Sequence, residues 1–288
     1  MSIPVIGQAR DFRASAWRAW DRETLDAAYN NAAAVAGSAE CVVDWERRSE
    51  KARSRADARL DLRYGPAPRQ TIDFIPAGPG APTLVFFHGG YWQSRSKHTF
   101  TFLADGLVPN GISLALVGYT LAPEATLDQI AAESRSALDF LVRTVPSLGA
   151  SSDGLRLAGW SAGAQLAAMV LDHRAVRAAF LASGVYDLEP IRHTYLNEKL
   201  AMDEACALRN SPLHHVPAAG PPTWVVAGGA ELPELRRQSA ELAAAHTRAG
   251  LACTHWEEPG ADHFSILERL ADPAGSLARR MASALMRA

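Results

Sequence analysis

The sequence has 288 residues, 48% hydrophobic and 21% charged, ordinary values for a globular chain long enough to bury a core without disulfide or metal staples. A formal net charge of −2 and a pI near 6.5 argue against a nucleic-acid or anionic-membrane partner. The three cysteines, Cys41, Cys206 and Cys253, are odd in number and far apart, which predicts reduced thiols and no zinc site.

The opening residues MSIPVIGQARDFR have too short an apolar stretch before Arg10, Asp11 and Arg13 to read as an export signal. No run of roughly 18 apolar residues follows to cross a bilayer. A cytoplasmic protein is expected. Residues 1–65 read as a helical extension: Ser15–Asp21 and Thr24–Tyr29 hold apolar residues at three-to-four spacing. Residues 45–63 alternate both charge signs, as a solvated helix does. Tyr64-Gly65-Pro66 then breaks the helix.

From residue 70 the pattern becomes short strands alternating with helices. Strands are predicted at Thr71–Ile75, Thr83–Phe87, Ile112–Val117, Leu155–Ala158, Ala178–Ala182, Thr223–Ala227 and Cys253–Trp256. Helices are predicted near 95–108, 127–144, 162–175 and 234–249. Fully apolar strands separated by helices imply a mostly parallel central sheet covered on both faces. Residues 185–221 join two strands without one obvious helix, which predicts a small cap-like insertion within a single domain spanning 1–288.

Three local patterns carry chemistry. His88-Gly89-Gly90-Tyr91-Trp92 follows an apolar strand. Glycines there let backbone N–H groups approach a substrate oxygen, so Gly89 and Gly90, with Ala162, are the candidate oxyanion donors. His88 is expected to brace that loop. Tyr91, Trp92, Trp160 and Tyr186 are the candidate aromatic pocket residues. Gly159-Trp160-Ser161-Ala162-Gly163 lies between a strand and an alanine-rich helix, the setting of a nucleophile elbow, with Ser161 raised at a helix N-terminus. His263 follows the last strand and is the candidate general base. The acid belongs in the turn after Ala227. Glu231 is the first choice, Glu234 the alternative, and Asp262 is poorly placed beside the base. The order Ser161, Glu231, His263 is that of the α/β-hydrolase fold. No cofactor or metal is called for. The partner is a small-molecule substrate, and a homodimer is compatible with the chain.

These residues carry a family resemblance. The chain resembles the serine-dependent arylformamidases (kynurenine formamidases), whose HGGxW signature matches residues 88–92. The likeness extends through Leu25–Asn31, Leu62–Pro66, Gly118–Glu124, Ser183–Pro190, Asn210–Pro212, Arg237–Ser239 and Asp262–Ser265. It implies hydrolysis of N-formyl-L-kynurenine to formate and L-kynurenine, with the nucleophile on Ser161, the base on His263 and the acid on Glu231, where aspartate is more usual. A carboxylesterase or amidase for another small substrate is the competing reading. A non-catalytic binding module is disfavoured by the intact serine, base and oxyanion loop.

Overall fold

The computed structural model describes residues 16–287. The reading of residues 1–13 as lacking an export signal lies outside them. An eight-stranded sheet organises the chain: β1 (Arg59–Arg63), β2 (Thr71–Ile75), β3 (Thr83–Phe87), β4 (Ser113–Val117), β5 (Leu155–Trp160), β6 (Val176–Ala182), β7 (Thr223–Gly228) and β8 (Cys253–Glu258). Their spatial order is β1-β2-β4-β3-β5-β6-β7-β8. Pairing is antiparallel at β1/β2 and β2/β4 and parallel from β4 to β8. This is the α/β-hydrolase fold.

Every residue of β3 is buried, because helices cover both faces of the sheet. Val85 and Phe87 enter the core beneath the helices Leu127–Thr144, Ala162–Ala168 and Pro233–Arg248. Leu84 and Phe86 alternate into the opposite core with Trp45, Leu103, Leu267 and Met281, the period-two split of a strand buried on both sides. The parallel strands all run the same way, so their C-terminal ends share one edge, where ligands bind in such sheets.

The charged stretch differs from its sequence reading. The helix is Ser38–Arg53, and residues 59–63 form β1 rather than its continuation. Leu60 and Leu62 alternate with charged neighbours, a pattern that suits a solvated edge strand with polar residues on it. Asp73 on β2 is fully buried, accepting from Arg53 at 3.0 Å and from Lys97. This ties the Ser38–Arg53 helix to the sheet. Asp61, Asp73 and His98 converge in the same place, but the Lys97 ammonium bonds to both carboxylates, at 2.8 Å from Asp61.

Residues 185–221 contain short helices at Ile191–His193, Asn197–Leu200, Glu204–Arg209 and Pro212–His214. Gln93 donates to the Leu196 carbonyl at 2.7 Å, and the Tyr195 N–H donates to Asp26 at 2.8 Å. The segment therefore bridges the loop after β3 and the N-terminal helix Arg22–Ala28. Among the described residues no helix is long and apolar enough to cross a membrane.

Candidate active site

Ser161 sits between β5 and the helix Ala162–Ala168 at φ 58° and ψ −125°. A non-glycine residue in that region is strained, by about 1–3 kcal/mol, and persists only where its surroundings enforce it. The enforcement is visible. The Ser161 N–H donates to the Ala182 carbonyl on β6 at 2.9 Å. A Cβ on Gly163 would lie 1.9 Å from the Phe87 carbonyl oxygen, and one on Gly159 2.1 Å from the Gly163 oxygen. Both glycines are therefore required for the helix to pack this close to β3 and β5.

Glu231 follows β7 and His263 follows β8, so the parallel sheet brings both to the edge where Ser161 stands. The His263 Nδ1 lies 3.0 Å from Glu231 Oε2. The other carboxylate oxygen, Oε1, accepts from the Ser183 hydroxyl at 2.5 Å and the Gly228 N–H at 2.6 Å. Ser161, Glu231 and His263 are 2%, 6% and 3% exposed, so the pair is shielded from bulk water and its mutual electrostatics are little screened. Trp160 fixes the base from the other side: its Nε1 donates to the His263 carbonyl at 2.8 Å, and the two ring centres are 4.6 Å apart. The residue next to Ser161 in the chain thus sets the position of the imidazole.

The alternative acids are engaged elsewhere. Glu234 accepts from Tyr29 at 2.8 Å and pairs with Arg237 at 2.7 Å. Asp262 accepts from the N–H groups of Phe264 and Ser265, both at 2.8 Å, and so caps the start of the following helix.

The loop after β3 has its own scaffold. His88 Nδ1 lies 2.8 Å from the Gly89 carbonyl, and Tyr119 donates to the His88 carbonyl at 2.7 Å while stacking on the ring at 4.2 Å. Burial pushes the His88 pKa down to about 3, so the ring is a neutral brace and not a second base. Gly89 packs against Trp160, where a Cβ would lie 2.6 Å from the ring, and Gly90 adopts φ 117°. Among the described residues the N–H groups of Gly89, Gly90 and Ala162 donate to no other group. They are free to serve an oxygen.

Ser161, His263, Trp160, Gly90 and Tyr91 line one cavity of about 250 Å³. Its remaining walls come from Asn30–Ala32, from Gln93–Arg95 and Phe264, and from Tyr195, Leu196 and Lys199. Two predicted pocket aromatics lie outside this cavity's wall. Trp92, fully buried at φ 59°, donates from Nε1 to Gln165 at 2.9 Å; Gln165 in turn donates to the Asn210 carbonyl at 2.8 Å. It anchors the loop. Tyr186 is also fully buried, folded against Gly184, with its N–H on Gln238 at 2.6 Å. It lies outside the cavity wall. Tyr91 does line the cavity, and its hydroxyl donates to the Tyr29 carbonyl at 2.7 Å and accepts from Asn31 at 3.0 Å.

Sequence reasoning missed Ser183 and the wall residues Asn30, Asn31, Tyr195 and Lys199. Ser183, at φ 54°, was singled out only as the first residue of one stretch resembling the arylformamidases. Nothing in its local pattern identifies a partner 48 residues away.

Residues 84–267 match a family described by the alpha/beta hydrolase fold. A kynurenine formamidase of Danio rerio is 38% identical over 240 residues, 78% of this chain and 80% of that protein. One from Salmo salar is 36% identical, covering 78% and 81%. Among solved structures, a Silicibacter protein provisionally described as a thioesterase aligns with a TM-score of 0.80 at 29% identity, covering 91% of this chain and 98% of its own. An esterase from Pyrobaculum calidifontis aligns at 0.67 with 18% identity and 91% coverage of each chain, a likeness of fold.

Proposed function

Because the chain belongs to the α/β-hydrolases and, within them, to the kynurenine formamidases, we propose that it hydrolyses N-formyl-L-kynurenine to formate and L-kynurenine through Ser161. The observation that carries this reading is the buried Glu231–His263 pair at 3.0 Å, whose histidine lines the same cavity as Ser161.

His263 holds its Nδ1 proton toward Glu231, which leaves the Nε2 lone pair for the serine proton. Ser161 Oγ attacks the formyl carbon as His263 takes that proton. The oxygen gains negative charge and rests on the amides of Gly89, Gly90 and Ala162, each worth about 2.7–4 kcal/mol in such sites. His263 then protonates the aniline nitrogen, the C–N bond breaks, and L-kynurenine leaves. Water, deprotonated by His263, attacks the formyl-serine and releases formate. Glu231 stays ionised throughout and offsets the charge that forms on the imidazole.

A formyl group is one carbon, so nearly the whole substrate is leaving group. Tyr91 and the cavity walls are there to receive it. The three cysteines form no disulfide, which fits a reducing compartment and supports a cytoplasmic location. The deciding experiment compares kcat/KM for N-formylkynurenine with that for short-chain aryl esters. Preference for the formamide supports the reading; strong preference for esters replaces it with a carboxylesterase.

A further inference from the structure

The wall of the catalytic cavity carries two cationic side chains, Arg95 and Lys199, and no aspartate or glutamate. Neither makes an ion pair among the described residues. Several other partly buried arginines behave otherwise: Arg48, Arg53, Arg192 and Arg237 each hold a carboxylate, and Arg69, beside Arg95, is met by the Tyr119 and Arg95 carbonyls. Arg95 is half-buried, and that burial lowers its pKa from the usual guanidinium value. The acid whose field it feels most, Glu46, makes no salt bridge with it and reaches only Thr99 at 3.5 Å.

The backbone beneath Arg95 is fixed. It has φ 68°, its carbonyl accepts from Arg69 at 2.5 Å, and the preceding Ser94 N–H closes a turn onto Gly90 at 3.1 Å. A partly desolvated guanidinium without a counter-ion is unfavourable unless something charged arrives to meet it. Its planar fork of donors matches a carboxylate. Lys199 is exposed, on the short helix Asn197–Leu200, and adds a mobile point charge to the same wall.

We propose that Arg95, assisted by Lys199, binds a carboxylate on the leaving-group half of the substrate and so selects aryl formamides that carry an amino-acid head. This rests on the formamidase reading for which molecule bears the carboxylate. The cation-only wall itself does not depend on that reading.

The test compares kcat/KM for N-formylkynurenine and for 2-formamidoacetophenone, which keeps the formanilide and the ketone but lacks the amino-acid head. The wild-type protein should favour the first. Arg95→Gln should reduce that preference about 10- to 100-fold, chiefly through KM, as expected for loss of hydrogen bonds to a charged group. Lys199→Gln should reduce it by less than about fivefold, because an exposed charge is screened. Arg95→Lys, which keeps the charge without the fork, should fall between wild type and Arg95→Gln. A preference that stays constant across these variants overturns the proposal, whether both substrates slow together or neither does. So does a wild-type protein that cleaves both formamides equally, and that outcome leaves the formamidase reading intact. If formamides are inert and aryl esters are cleaved, the formamidase reading falls. The same variants compared on 2-acetoxybenzoate and phenyl acetate then test carboxylate selection by the same ratio.

Discussion

Replacing Glu231 by glutamine changes one atom and should remove nearly all activity. The carboxylate oxygen Oε1 faces two donors, the Gly228 N–H at 2.6 Å and the Ser183 hydroxyl at 2.5 Å, while Oε2 faces His263 Nδ1 at 3.0 Å. A glutamine must keep its carbonyl oxygen toward Gly228, because turning the NH2 there would set two buried donors against each other at a cost of about 1–3 kcal/mol. The NH2 then points at His263. Nδ1 must accept, the ring proton moves to Nε2, and the imidazole offers Ser161 an N–H where it needs a lone pair. A wrong-tautomer base of this kind loses about 10,000-fold in kcat in the serine-protease case, or about 5.4 kcal/mol of barrier. The assay is steady-state release of kynurenine, followed by absorbance, with circular dichroism and thermal melting to show that the protein is folded. A folded variant retaining more than about a tenth of wild-type kcat would refute the tautomer argument and the assignment of Glu231.

Ser161→Ala should leave the fold intact and abolish covalent capture by phenylmethylsulfonyl fluoride; turnover above the level of the oxyanion donors alone, measured with formylkynurenine, would displace Ser161 as nucleophile. Glu234→Gln should keep kcat within about threefold of wild type and cost about 1–3 kcal/mol in urea unfolding, since it weakens the pair with Arg237 and not the triad. His88 supplies a pH signature. The unfolded chain takes up its proton near pH 6.5, while the folded ring refuses it until about pH 3. Its contribution to stability is therefore complete above pH 6.5 and falls by about 1.4 kcal/mol per pH unit as the solution is acidified through that window. His88→Gln should flatten the acid side of the unfolding free-energy curve by that slope, and an unchanged slope would show that the ring is not held neutral by burial.

The candidate site residues were legible as a constellation because the serine and the glycine loop belong to short patterns whose geometry is local. Gly159-Trp-Ser-Ala-Gly163 spells its own turn, and His88-Gly-Gly90 must follow a strand for its amides to be free. Glu231 and His263 each follow a strand of a parallel sheet, so topology alone delivers them to Ser161. The choice of Glu231 over Glu234 follows from the same rule: one lies in the turn and the other is already in the helix Pro233–Arg248. Legibility ended where a side chain's direction depends on distant contacts. Trp92 neighbours the oxyanion loop in sequence, yet its positive φ turns the indole inward to Gln165. Tyr186 is similar: the chain after β6 folds it, fully buried, against Gly184 and Gln238. The strand β1 was read as helix because alternating charges satisfy both a solvated helix and an edge strand.

The broad hydrolase match begins at residue 84, yet Asn30, Asn31 and Ala32 form part of the catalytic cavity. Most of the cavity wall, Arg95 and Lys199 included, lies within that match, and one stretch of it does not. The candidate serine, acid and base all lie downstream, while part of the cavity wall comes from the first helices, fastened through Tyr29 and Asn31 to Tyr91. Substitutions at those early residues would reshape the cavity wall and leave the spacing of serine, acid and base untouched.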